Sequence, residues 1–130
     1  MIGLDTNAIL RLALDDDPAQ CRRVVALLGN ASEEMFSIST IVLVEATWTL
    51  HRQLKRTRAE IVAFLEQLLE TEDFVVQFEG AAWRALKDYA AGRSDYADYL
   101  IAEINLDMGC WTTFTFDEDA LDARAFSAIP

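Results

Sequence analysis

Short apolar runs alternate with longer helix-patterned segments along the whole chain, and most of these runs stop at, or feed into, a carboxylate. Met1 to Leu4 ends at Asp5. Met35 to Ile38 leads through Ser39 and Thr40 into an apolar helix that carries Glu45. Trp111 to Phe116 ends at Asp117, and Phe74 to Phe78 and Phe126 to Ile129 supply two further runs. Runs this short, bounded by turn residues and rich in β-branched and aromatic side chains, read as strands. Strands that alternate with helices imply a parallel sheet covered on both faces. The expected fold class is therefore α/β, with residues 1–130 forming one domain around a central parallel sheet.

The helical segments follow from periodicity and caps. Thr6 and Asn7 are read as capping a helix over Ala8 to Leu14, and Gly29-Asn30 as closing a helix over Ala19 to Leu28 with Val24, Val25, Leu27 and Leu28 inward. Ser39-Thr40 opens a helix from Ile41 to Leu54. Its stripe is expected to run through Ile41, Val44 and Trp48, widened by Leu43, Leu50 and Leu54, with Glu45 at the margin. Arg58 to Leu69 presents Ile61, Phe64, Leu65, Leu68 and Leu69 on one face. Gly80 to Ala91 and Tyr96 to Met108 are the last long helices, separated by Gly92-Arg93-Ser94, with Gly109 closing the second. Glu118 to Arg124 reads as a short final helix. Asp15, Asp16 and Asp17 precede Pro18, an ordinary way to enter a helix.

Composition narrows the chemistry. An apolar fraction of 52% in 130 residues is enough for a real core. No apolar run could span a bilayer, and Asp5 interrupts the first apolar stretch before it could resemble a leader, so no membrane partner and a cytoplasmic location are expected. Cys21 and Cys110 form no zinc or disulfide spacing and are read as reduced thiols, Cys110 packed beside a strand. One histidine, His51, cannot anchor a His-rich metal site, and no nucleophile motif accompanies it. What remains is carboxylate chemistry.

An acid beside apolar sequence is costly to bury unless it is paired, protonated or bound to a cation. In open parallel sheets the active site lies beyond the carboxyl ends of the strands. Asp5 and Asp117 end strands, Glu45 lies one turn into a helix that follows a strand, and Asp98 lies near a helix start that favours a negative charge. All four are expected at one edge, with Asp5, Asp98 and Asp117 as ligands of a hard cation and Glu45 orienting a water or acting as general base. An all-oxygen set suits Mg²⁺, or Mn²⁺, better than Zn²⁺. Asp95 is either a second ligand or a helix cap. Thr6 and Asn7 either bond to a ligand or Asp5, or cap the first helix.

A net charge of −11 argues against a broad basic grip on nucleic acid. One local basic stripe exists, Arg52, Lys55, Arg56 and Arg58. It is either an RNA contact or a solvated connection between helices. A receiver domain would need a late lysine, whereas the only lysines are Lys55 and Lys87. A dehalogenase-like phosphatase would need Asp at position 7, which is Asn.

The motifs, taken in order, resemble a known family. Ile2-Gly3-Leu4-Asp5-Thr6-Asn7, then Ser37-Ile38-Ser39 with Val44-Glu45 and Trp48-Thr49-Leu50, then Asp95-Tyr96-Ala97-Asp98-Tyr99-Leu100-Ile101-Ala102, then Thr113-Phe114-Thr115-Phe116-Asp117, are similar to the four motifs of PIN-domain ribonucleases, and within them of VapC-type toxins. The resemblance runs nearly end to end. It implies a three-layer α/β/α sandwich and Mg²⁺-dependent endonucleolytic cleavage of RNA. It also implies a homodimer, and inhibition by a small antitoxin whose tail enters the acidic groove. A non-catalytic PIN-like module that binds RNA or protein is the alternative; all four principal acids are present. Asp98 matches the family's acid in the third motif, and Tyr99 stands where a small residue is more usual.

Overall fold

A computed structural model describes residues 1–14 and 16–130; Asp15 of the acidic helix entry lies outside the described residues. Strands β1 (Ile2–Gly3), β2 (Phe36–Ile38) and β3 (Phe74–Val76) form a parallel sheet in the order β1-β2-β3, with Ile2 opposite Phe36 and Phe36 opposite Phe74. Strands β4 (Thr113–Thr115) and β5 (Phe126–Ala128) form a second parallel pair. Parallel pairing demands crossovers, and helices supply them. These are α1 (Thr6–Ala13), α2 (Pro18–Asn30), α3 (Thr40–Trp48), α4 (Arg58–Glu70), α5 (Glu79–Ala91) and α6 (Tyr96–Asp107). This is the expected α/β class.

Local chemistry explains most boundaries. Thr57 and Glu60 form a reciprocal capping box at the start of α4. Asp17 caps α2, accepting from the Gln20 N–H with Pro18 in the first turn, and Asp16 pairs with Arg11 of α1 at 2.6 Å. Gly109, at φ +97°, closes α6 in a conformation that suits glycine. Ile61, Leu65, Leu68 and Leu69 of α4 are buried as expected, joining Leu4, Phe36, Ile38, Leu43 and Tyr99 in one core.

Several expectations change. Helix α1 starts at Thr6, and its cap is Asp5, which accepts from the Ala8 N–H at 2.9 Å; Thr6 and Asn7 are inside the first turn. Helix α2 buries no residue completely, because it packs mainly on α1, with Leu28 half-buried against the core; Val25 and Leu27 face solvent. In α3 the buried side chains are Val42, Leu43, Ala46 and Thr47, whereas Ile41 is 68% exposed and Trp48 is exposed too. Residues 41–44 are all apolar, so periodicity leaves the phase open. Packing fixes it, since small Ala46 and Thr47 let α3 approach α1 and α6 closely. The buried Thr47 hydroxyl is satisfied by the Leu43 and Val44 carbonyls.

Beyond Trp48 the helix loosens into a π turn, Thr49–Gln53, so it does not run unbroken to Leu54. Glu118–Ala120 is a single 3₁₀ turn, too short to propagate to Arg124. Cys110 is exposed in the turn after α6, not packed beside a strand; both cysteines are free.

Gly92 occupies a position that no side chain can share. A Cβ there would overlap the Tyr99 hydroxyl and lie 2.8 Å from the Asp88 carbonyl oxygen. Overpacking at such a point costs about 2 kcal/mol. Gly92→Ala should lower the urea midpoint accordingly; an unchanged midpoint would show that the Tyr99 ring swings aside freely.

Candidate functional site

The start of α6 and the end of β4 come together. Asp95 is the N-cap residue of α6 by position, although its side chain makes no capping hydrogen bond, and Asp98 sits in the first turn. Asp117 follows β4, with its Oδ1 accepting from the Asp119 N–H at 3.0 Å and its Oδ2 accepting from the Ser94 hydroxyl at 2.5 Å. Its own N–H donates to Thr115 Oγ1. Asp98 is half-buried, and its carboxyl is raised above its ordinary range, chiefly by burial and then by the charges of Asp95 and Asp117. The backbone of Asp95 opposes this through a hydrogen bond. Three negative groups therefore act on one another here.

The other two principal acids follow strands of the first sheet. Asp5 directly follows β1, and α3, which carries Glu45, begins after the parallel strand β2. Helix α3 packs against both α1 and α6. Both side chains are exposed. One Asp5 oxygen is engaged at the α1 cap, and neither acid is hydrogen-bonded to the α6 cluster among the described residues. Nor, among the described residues, do any three Asp, Glu, His or Cys side chains converge tightly enough to enclose a cation by themselves.

Asp95 also lies beside basic side chains. Arg52 Nη2 lies 3.4 Å from Oδ2, and His51 Nε2 lies 3.9 Å from Oδ1. The π turn after Trp48 presents both residues, a device common at functional sites. A cleft of about 40 Å³ runs alongside, lined by Trp48, His51, Tyr89 and Asp95. The basic stripe itself is divided. Arg56 pairs with Glu60 at 3.6 Å, and Lys55 is exposed at φ +55°. Arg58 Nη1 donates to the carbonyls of Tyr89 and Ser94 while its guanidinium lies 4.1 Å from the Tyr89 ring centre.

A family profile described as PIN domain matches residues 2–126. The chain belongs to the PIN-domain family. PIN domains are typically nucleases and usually use divalent metals, so this PIN domain has a nuclease-like fold whose surface is compatible with RNA. Comparison with curated proteins and with solved structures finds no match. The donor chemistry of this PIN domain fits a hard cation. Its acids offer only oxygen, their mutual repulsion at Asp98 is what a cation relieves, and an open arrangement suits Mg²⁺, which keeps several waters and takes only one or two carboxylates.

Sequence reasoning missed Ser94 and the roles of His51 and Arg52. Ser94 reads as a loop breaker between two helices, yet it is buried against an acid of the site. A glycine two residues upstream of a serine, just before an aromatic helix start, was the available signal.

Proposed function

We propose that this PIN domain is a Mg²⁺-dependent endoribonuclease. The supporting observation is the gathering of Asp95, Asp98 and Asp117 at the junction of α6 and β4 in a chain that matches the PIN family across residues 2–126. In this reading Asp5, Asp98 and Asp117 would hold the cation, with Mn²⁺ an acceptable substitute and Asp95 at second rank. A bound Mg²⁺ supplies positive charge against a phosphodiester and acidifies water. Glu45, exposed on α3, would orient that water or take its proton. Asn7, in the first turn after Asp5, would bond to substrate. Purified protein incubated with single-stranded RNA and Mg²⁺ should produce internal cuts that chelator stops. Intact RNA across a panel of sequences, with Mg²⁺ bound, would support the non-catalytic module instead.

The same reading makes the chain a VapC-type toxin, cytoplasmic and homodimeric, held inactive by a small antitoxin. What supports it is the order of the four motifs and an acidic site open enough for a partner's basic side chain. Co-expression with the product of the neighbouring reading frame should silence cleavage; a neighbour that fails to bind would leave a PIN nuclease outside any toxin pair.

RNA contact by the basic stripe now divides by residue. Arg52 and Lys55 are exposed, so replacing both with Ser should flatten the salt dependence of RNA binding by about 1.4 in log–log slope, at about 0.7 per phosphate contact on a single strand. Arg58 is held by two carbonyls and an aromatic face. Arg58→Ala should instead cost about 2 kcal/mol of stability and leave the slope unchanged. A flattened slope for Arg58→Ala at full stability would return it to the RNA surface.

A further inference from the structure

We infer that Tyr99 and Ser94 form a positioning relay that fixes the Asp117 carboxylate for its cation, an inference that rests on the metal-site reading above. Ser94 is 5% exposed, and each of its polar groups is engaged. Its N–H donates to the Tyr99 hydroxyl at 3.1 Å, its carbonyl accepts from Arg58 at 3.0 Å, and its hydroxyl donates to Asp117 Oδ2 at 2.5 Å. The Tyr99 oxygen also accepts from the Arg93 N–H at 3.1 Å, so one phenol holds two successive backbone groups of the loop. Tyr99 itself is 1% exposed, and its ring meets Phe126 edge to face at 6.5 Å. Gly92 is the residue that leaves room for the phenol oxygen.

The relay has a consequence for the site because of adjacency. Asp98 and Tyr99 are neighbours in α6, so the pose of that helix sets Asp98 directly and sets Asp117 through Tyr99 and Ser94. Two acids from segments far apart in sequence are thereby held to one frame. Asp117 keeps accepting capacity, since each carboxylate oxygen can receive two partners and the structure gives each one. The hydroxyl thus orients the carboxylate without occupying all of it. Partners of this kind, one bond removed from a ligand, typically change metal affinity 10- to 100-fold.

The test is a double-mutant cycle read by Mg²⁺ titration calorimetry on the full chain, well below the unfolding temperature of each variant. Ser94→Ala and Tyr99→Phe should each weaken Mg²⁺ binding about 10-fold or more. The double variant should be no weaker than Ser94→Ala alone, because Tyr99 acts through Ser94. Ser94→Thr, which keeps the hydroxyl, should recover most of the affinity. Additive losses, or wild-type affinity in Ser94→Ala, would overturn the relay. Asp117→Asn separates this from failure of the underlying reading. If Asp117→Asn leaves Mg²⁺ affinity untouched, the metal site is wrong; if it abolishes binding while Ser94→Ala does not, only the relay is wrong. Urea midpoints of the same variants show whether Tyr99→Phe merely loosens the loop, in which case its affinity for Mg²⁺ would stay at the wild-type value.

Discussion

Asp98→Asn should lower RNA cleavage by about 10³-fold while leaving the metal-free protein at least as stable as the parent at neutral pH. The first half follows from the proposed function, in which Asp98 supplies charge where cation and phosphate would meet. The second follows from sign. The folded state raises the Asp98 carboxyl above 3.8, through burial and then the charges of Asp95 and Asp117, so its ionised form is disfavoured by folding. That cost is fully present above the raised value. It fades as pH falls through the raised value and is gone below 3.8, where the carboxyl is protonated folded or unfolded. The advantage of the Asn variant should therefore be largest at neutral pH and disappear on acidification. Denaturant melts in chelator at several pH values measure it. A variant clearly less stable than the parent at neutral pH would mean that Asp98 is a structural hydrogen-bond acceptor.

The second large effect lies outside the site. Glu103 of α6 is 1% exposed, and Arg84 Nε of α5 meets it at 2.8 Å while Nη2 reaches Asp107 at 2.6 Å. Asp88 stands close enough for burial, and then the charge of Glu103, to push its carboxyl up. Arg84→Ala would leave the buried Glu103 carboxylate beside Asp88 and Asp107 with no guanidinium between it and Asp107. Breaking a buried pair costs about 3 to 5 kcal/mol, and the partial exposure of Arg84 places this case near 3, about 10 °C in Tm for a domain of this size. The loss should shrink at acidic pH, where protonation of the acids left without Arg84 removes their repulsion. Adding Glu103→Gln should recover part of it. An Arg84→Ala protein that melts with the parent would show that Asp88 and Glu103 share a proton already.

These two cases show where sequence is informative and where it stops. The strands, the α4 face and the placing of Asp5 and Asp117 at strand ends were legible, because alternation, caps and turn residues are local signals. Helix α3 was legible as a helix but not in its orientation: four consecutive apolar residues carry no period, and the decision belongs to Ala46 and Thr47 meeting neighbouring helices. The role of Asp5 as cap was hidden because Thr6 and Asn7 are equally good capping residues, and the backbone chose the earliest. Glu103 was invisible as a buried acid, since nothing local distinguishes it from a solvated helical Glu. Its partner lies on another helix, and those of Ser94 lie on α4, on α6 and just after β4; pairs made across segments leave no mark in either segment alone.

Helix α2 touches the rest of the protein through half-buried side chains only. Detaching it would expose little apolar surface, so its amides should exchange with deuterium by local opening, far more easily than those of α4 or α6. The chain then has two tiers of cooperativity. An inner unit spans both sheets and the helices packed on them, and an outer helix comes and goes without disturbing it.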